Sequence, residues 1–533
     1  MPENGPGIGP TTRQGPRVVI VGGGVGGLTA AVDLARLGAS VTLLERAAAP
    51  GGKMRQIAVN GGLIDAGPTV MTMRWVFDGL FADAGAALDE RLSFTPLSVL
   101  ARHHWRDGET LDLFADLERS IDAIGAFAGA AEARAYRAFA AEARRVFAIL
   151  RGPFLESPRP SPLTLTRRIG WSRFADMLAL RPFETLWSAL SRRFQDTRLR
   201  QLFGRYATYG GSSPFAAPAT LMLIAHVEQE GVWTLDGGMY ALARALADVA
   251  IDRGVDLRLN AHVSSIEVKN GQASGVRLAS GEHVPADAVL LNADAAALTD
   301  GAFGRACQSA ASPVPARARS LSAVTWAVRA PARGLELARH NVFFSADYAA
   351  EFRALSRLRA MPEDPTIYLC AQDRFEPEKP DGLGPQRLLA LINAPADGDL
   401  SPLSRSEIEA CQTRLFQRLE RHGLILASTP ETQAITTPQD FNALFPSTGG
   451  ALYGRATHGW AGAFQRPAAR TAMPGLFLAG GSAHPGAGVP MAALSGRIAA
   501  SAIGRRLGLT SRSRRAATRG GILTPSATTV GTA

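Results

Sequence analysis

Residues 17–55 read RVVIVGGGVGGLTAAVDLARLGASVTLLERAAAPGGKMR and hold the spacing richest in chemistry. A β-branched run, Val18 to Val21, leads into Gly22-x-Gly24-x-x-Gly27, and a second run, Val41 to Leu44, ends in Glu45. A glycine turn between a strand and a helix leaves free N–H groups at the helix N-terminus. The helix dipole favours negative charge there, so phosphates bind. Gly22 makes the turn, Gly24 lets the backbone approach a pyrophosphate, and Gly27 lets helix and strand pack closely. Glu45 can accept hydrogen bonds from both ribose hydroxyls, and its charge repels a 2′-phosphate. The chemistry is dinucleotide binding. Pro50-Gly51-Gly52-Lys53-Met54-Arg55 follows at once. Two adjacent glycines let this loop fold back over a cofactor, so that Lys53 or Arg55 reaches the pyrophosphate or the flavin. A second wrap of this kind favours FAD over NAD.

Residues 474–503, PGLFLAGGSAHPGAGVPMAALSGRIAASAI, form a second cofactor motif. A strand, Leu476 to Ala479, runs into Gly480-Gly481, and a helix begins near Pro490, where a missing N–H costs nothing. The N–H groups of Met491 and Ala492 are expected to point outward, at the pyrimidine edge of an isoalloxazine, where a helix N-terminus stabilises negative charge. The cofactor-binding set is therefore Gly22, Gly24, Gly27, Glu45, Gly52, Lys53, Arg55, Val263, Gly480, Gly481, Pro490, Met491 and Ala492. His484 reads either as a catalytic base or as a structural loop histidine. No cysteine follows Cys411, which excludes a flavin thioether in this loop.

Separated segments must come together to position these residues. Residues 17–98, 236–299 and 466–507 read as three parts of one discontinuous Rossmann-type FAD-binding domain. In the second part, a helix over 240–253 leads to a strand over 256–259. Asn270-Gly271 then turns a hairpin, and a buried strand with a polar end spans 288–294. The insertions 99–235 and 300–465 must build an α+β substrate domain. Residues 1–16 read as a flexible tail and 508–533 as a disordered one.

The 533 residues suffice for two domains and a large core. Net charge is +10, with arginine far above lysine. No nucleic-acid motif is present, and an anionic membrane surface suits the charge better. Cys307, Cys370 and Cys411 form no metal or disulfide framework and suit a reducing cytoplasm. Neither a signal peptide nor a spanning apolar stretch is seen. Within 163–194, Phe183, Leu186, Trp187, Leu190 and Phe194 recur at helical spacing near Arg167, Arg168, Trp171, Arg181, Arg192 and Arg193. This reads either as a helical membrane-associating face or as a core helix with a solvated side.

Taken together, the two motifs resemble the carotenoid desaturase branch of the FAD-dependent amine oxidase-like superfamily. The stretch GSAHPGAGVPMAALSG looks like that branch's C-terminal motif. Residues Asp65 to Val70, His340 to Ser345, Pro365 to Tyr368 and Asn393 to Ala396 resemble its other segments. Thr72-Met73-Arg74-Trp75-Val76-Phe77-Asp78 and Ala225-His226-Val227-Glu228-Gln229-Glu230-Gly231-Val232-Trp233 look like the 1-hydroxycarotenoid 3,4-desaturase group of purple photosynthetic bacteria.

The resemblance implies FAD-dependent desaturation of C3–C4 in acyclic 1-hydroxy or 1-methoxy carotenoids, on the path to spheroidene and spirilloxanthin. The polyene would stabilise the cation left by hydride loss to flavin N5, and a base or water would take the neighbouring proton. The reacting carbon must sit about 3–3.5 Å from N5 with water excluded. His226, Glu228 and Arg74, from the group-specific segments, are the catalytic candidates, and a satisfied polar cluster is the alternative. A peripheral place on the cytoplasmic face of the photosynthetic inner membrane follows, with oxygen or a quinone as electron acceptor and no metal. Competing expectations are a phytoene or neurosporene desaturase of other regiochemistry, and a non-catalytic lipid-binding escort protein of the same fold.

Overall fold

A computed structural model describes residues 15–106, 108–170, 176–177, 180–374 and 384–509. Of the expected tails, 1–16 and 508–533, residues 1–14 and 510–533 lie outside the described residues, as does Trp171.

The α/β expectation holds. Strand Arg17–Val21 is the centre of a five-stranded parallel sheet. In spatial order the strands are Leu476–Leu478, Ala288–Leu291, Arg17–Val21, Ser40–Leu44 and Asp256–Arg258. Val19 stands opposite Val289 on one side and Thr42 on the other, and Val289 opposite Leu476. Parallel strands buried on both faces need apolar residues without alternation, and Val18 to Ile20 and Ala288 to Leu291 are at most 1% exposed. Helices Val25–Arg36, Met239–Asp252 and Val489–Leu507 share one apolar core with the sheet. The strand read over 288–294 stops at Leu291. Asn292 turns its amide onto the Gly22 carbonyl (3.0 Å), and Asp294 caps the helix Ala295–Thr299 through the Ala296 N–H.

The Asn270-Gly271 turn joins strands Val263–Lys269 and Gln272–Leu278 as an antiparallel hairpin. A second, seven-stranded sheet carries the other half of the molecule. Its order is Gln433–Thr436, Ser322–Ala330, Gln386–Ala394, Ile367–Ala371, His340–Phe343, Val99–His104 and Thr110–Phe114. The hairpin Gln56–Val59/Gly62–Asp65 lies on it through Val59 and Ile64, which pack with Ala327, Cys370 and Leu389. Asp65 ties this hairpin to the first sheet's helices by accepting from the Met239 N–H at 2.6 Å. A helical layer built from Ala130–Leu150, Leu186–Arg193, Thr197–Gly204 and Leu223–Gln229 closes the same large core.

The segment read as a single apolar face over 183–194 divides. Thr185 caps the helix at the Ser188 N–H, so the helix starts at Leu186 and leaves Phe183 in the preceding turn. Leu186, Leu190 and Phe194 are core residues at 0–1% exposure, while Phe183 is 82% exposed. No helix among the described residues is long and apolar enough to cross a membrane.

Histidines are buried at the edge of the seven-stranded sheet. His104 stacks on Phe343 at 4.5 Å, 6.2 Å from His422. Burial pulls both imidazoles down to about 4, helped by the positive neighbours Arg102 and Arg418. A folded value below the unfolded one near 6.5 gives stability that is complete above that pH and lost as pH falls toward 4. His104→Gln is therefore expected to flatten the fall of the thermal midpoint between those pH values. An unchanged slope in a calorimetric pH series would remove His104 as a contributor.

Candidate flavin and substrate site

Three chain segments meet at the glycines of both motifs, where bare backbone approaches bare backbone. Gly22 adopts φ +102°, and a Cβ there would sit 3.0 Å from the Asn292 carbonyl oxygen. A Cβ on Gly27 would lie 2.2 Å from the Gly22 carbonyl oxygen, and one on Gly26 would lie 2.9 Å from the backbone of Gly480. The second wrap touches the first turn directly. The Gly51 N–H donates to the Gly23 carbonyl at 2.8 Å, and a Cβ on Gly52 would stand 3.2 Å from the Gly24 Cα. This cradle matches a pyrophosphate held by bare backbone, so the residues present fit a dinucleotide.

Glu45 is 8% exposed at the end of the second strand. Its Oε2 accepts from the Gly23 N–H at 2.7 Å and its Oε1 from the Ala47 N–H at 2.8 Å. Each oxygen keeps a lone pair for a ribose hydroxyl. Val263 lies close by in sequence to Ala261, whose N–H donates to the Glu45 carbonyl (2.8 Å). The Lys53 ammonium donates to the Leu452 carbonyl and lies 5.2 Å over the Phe445 ring. Arg55 donates to Thr436 Oγ1 at 3.2 Å. Burial pulls both cations down, with Asp294 partly offsetting this for Lys53.

At the C-terminal motif one expectation needs correction. The last helix has Gly488 as its N-cap and Pro490 in its first turn, but the Ala492 N–H donates to the Gly488 carbonyl at 2.9 Å. Ala492 closes the first helical turn, so its N–H is not free; those of Val489 and Met491 stay outside the helical ladder. Gly480 and Gly481 precede a cis His484–Pro485 bond. His484 is 1% exposed, with Nε2 between the carbonyls of Phe154 (3.0 Å) and Ser157 (2.9 Å). Burial pulls it down to about 4, so it is a neutral tie between this loop and the helical layer.

The catalytic candidates are not brought together into one group. The Arg74 guanidinium is committed to Asp89 (2.5 Å) and Asp78 (3.3 Å) and lies over the Phe94 ring. His226 packs its edge on Phe147 and approaches Glu230 at 3.5 Å. Glu228, two residues along the same helix, is 4% exposed and accepts from the hydroxyls of Tyr206 (2.7 Å) and Tyr209. Tyr209 also accepts from Arg205 Nη1 at 3.1 Å, so a buried cation and a buried carboxylate are joined through one phenol. Burial keeps both phenols protonated, and the Glu228 charge reinforces this. A second relay runs beside it: Thr69 Oγ1 lies 2.6 Å from the Tyr368 hydroxyl, which lies 2.7 Å from His340 Nδ1.

Sequence reasoning missed Asn292, Arg205, Tyr206, Tyr209 and Arg466. Asn292 stood at the polar end of a recognised strand and was the one with a signal. Arg466 is 2% exposed and donates to the carbonyls of Tyr453, Gly481 and Arg455, which braces the second motif.

Gly27→Ala is expected to lower the bound flavin of the purified protein about tenfold or more, because the new Cβ meets backbone that cannot yield. Gly152→Ala, where a Cβ meets nothing within 4 Å, is expected to keep it. Equal visible absorbance in the two variants would contradict the cradle.

A family model described as flavin containing amine oxidoreductase matches residues 25–504. Hydroxyneurosporene desaturase of Rubrivivax gelatinosus is 50% identical over 521 residues, covering 97% of this chain and 98% of its own. Hydroxyneurosporene desaturase of Cereibacter sphaeroides is 47% identical over 489 residues, covering 92% and 97%. Among solved structures, putrescine oxidase bound to putrescine superposes with a TM-score of 0.55 at 16% identity, covering 92% of this chain and 98% of that one; this is a likeness of fold. The chain therefore belongs to the flavin-containing amine oxidoreductase family, in its carotenoid desaturase branch, and is an FAD-dependent oxidoreductase.

Proposed function

We propose that the protein desaturates the C3–C4 bond of acyclic carotenoids carrying a 1-hydroxy or 1-methoxy group. The observation that carries this reading is near-full-length identity of 50% to a hydroxyneurosporene desaturase, with every glycine of the cofactor cradle in place. Residues 17–98, 236–299 and 466–507 then hold FAD, and 99–235 with 300–465 form the substrate domain. The cofactor residues are those of the two glycine motifs, with Glu45 on the ribose and the first turn of the last helix toward the isoalloxazine.

FAD, when bound, supplies a hydride acceptor. The substrate loses one hydride and one proton from adjacent carbons and gains one C=C bond, and oxygen or a membrane quinone takes the electron pair onward. A carotenoid has no acidic C–H, so the protein's task is to hold an allylic carbon in place and keep water out. The largest hydrophobic core extends from the parallel sheet into the helical layer and supplies the dry surroundings. Glu228 and His226 stand on the helix that enters this core. Glu228 has both oxygens engaged by phenols, which suits orientation of those hydroxyls better than proton abstraction.

The carotenoid arrives from a lipid phase, and we place the docking surface at Phe183 and Trp460. Their rings lie 5.9 Å apart and are 82% and 50% exposed. Phe183 lines an open cavity of about 700 Å3 together with Arg181, Glu184, Thr185, Ser188 and Arg192 among others. Aromatic rings beside arginines suit the interface of an anionic bilayer, and the net charge of +10 favours the same partner. The cytoplasmic face of the inner membrane is consistent with three free, buried cysteines.

Incubation of the flavin-loaded protein with liposomes carrying 1-hydroxyneurosporene, and separately phytoene, tests the reaction. A product with one more conjugated double bond from the hydroxylated substrate alone is expected by chromatography and absorption spectrum. Conversion of phytoene instead would move the protein to the general desaturases. Phe183→Ser with Trp460→Ser is expected to cut co-sedimentation with anionic vesicles about tenfold; undiminished co-sedimentation would place the docking surface elsewhere.

A further inference from the structure

A polar island lies inside the helical half of the core. Arg205 is 7%, Tyr206 2% and Glu228 4% exposed. Around them are apolar and aromatic groups: Phe203 lies 6.3 Å from the Tyr206 ring, and Tyr206 lies 5.8 Å from Tyr209. Of the Arg205 donors, Nη1 meets the Tyr209 hydroxyl, while Nε and Nη2 are buried with no hydrogen-bond partner. A buried guanidinium with idle donors is a costly arrangement unless an acceptor arrives from elsewhere. The protein supplies charge balance through Glu228 but routes it via Tyr209, which leaves the guanidinium's other edge uncommitted.

The island adjoins the cofactor end of the fold. A Cβ on Gly67 would fall 1.9 Å from the Lys53 carbonyl oxygen, so the 67–69 segment is stapled to the second glycine wrap. Thr69 reaches Tyr368, and Tyr368 lies within the field of both Arg205 and Tyr209. Tyr209 and Tyr368 are enclosed deeply enough for burial to hold their phenols protonated, yet both keep partly accessible surface.

We propose that Arg205, braced by Tyr209 and Glu228, is the anchor that accepts carotenoids bearing oxygen at C1 and rejects those without it. The inference rests on the desaturase reading above. A hydroxyl and a methoxy group share an acceptor oxygen, so N–H donors recognise both, whereas a site of acceptors would recognise the alcohol alone. A hydrocarbon end group leaves the donors idle, and a site built to bond an oxygen discriminates strongly against its absence. Tyr209 and Glu228 are positioning residues: they fix the guanidinium and touch the substrate through it.

The test compares kcat/KM of the flavin-loaded protein on a 1-hydroxy acyclic carotenoid and on the same hydrocarbon without oxygen, both in vesicles. Arg205→Met is expected to lower the value for the hydroxylated substrate about 100-fold, mostly through KM. It should leave the hydrocarbon within about twofold. Arg205→Lys should recover part of the loss, and Tyr209→Phe, which keeps the ring, should cost about tenfold on the hydroxylated substrate alone. Equal losses on both substrates, or wild-type discrimination in the variants, would overturn the anchor. If Arg205→Met purifies without flavin, Tyr209→Phe decides by the same criterion. A wild-type protein that does not convert the hydroxylated carotenoid would instead overturn the desaturase reading itself.

Discussion

Close backbone approach at one junction governs the rest of the structure. Gly22, Gly24, Gly26 and Gly27 of the first turn, Gly51 and Gly52 of the second wrap, and Gly480 of the last loop come from three distant parts of the chain. They pack so tightly that most would clash if given a Cβ. Asn292 sits at the centre, donating to the Gly22 carbonyl and filling the space beside Gly24, Gly27 and Gly480. Gly496 extends the same logic, since its Cβ would fall 2.2 Å from the Gly26 carbonyl oxygen, so the first and last helices also meet backbone to backbone. Bare backbone at this point leaves N–H groups for phosphates and fixes how the discontinuous segments return to one sheet.

From that junction the fold divides its chemistry. The parallel sheet end is dense and glycine-lined, suited to a polar cofactor. The seven-stranded sheet and helical layer form a largely apolar enclosure whose buried polar groups include two relays, Arg205–Tyr209–Glu228–Tyr206 and Thr69–Tyr368–His340. A nearly pure hydrocarbon gains its binding energy from area and its register from very few polar contacts. The same enclosure keeps its histidines neutral and its phenols protonated.

The cofactor half was legible because backbone stereochemistry allows few residues at those positions. Glycine spacing, the acid at the end of the second strand and the Asn-Gly hairpin each report a local constraint. Local constraints failed where a boundary moved by one or two residues. Gly488 caps the last helix, so Ala492 falls inside the hydrogen-bonded ladder. Thr185 caps the helix at Leu186, so Phe183 leaves the apolar face it appeared to share. The half built from the seven-stranded sheet and the helical layer was far less legible. Arg205 is one arginine in an arginine-rich chain, and its role comes from Tyr209 and a helix more than twenty residues on. Periodicity shows which face of a helix is buried, but not which faces meet.

On the proposed reading, the hydrogens leave the carotenoid through the flavin held in this cradle. An anaerobic single-turnover experiment tests it most directly, mixing the flavin-loaded protein with 1-hydroxyneurosporene in vesicles and following flavin and polyene absorbance together. Bleaching of the flavin's visible band is expected at the rate at which the longer chromophore appears, one product for each flavin. Product formation with the flavin band unchanged, or bleaching without a longer polyene, would contradict it.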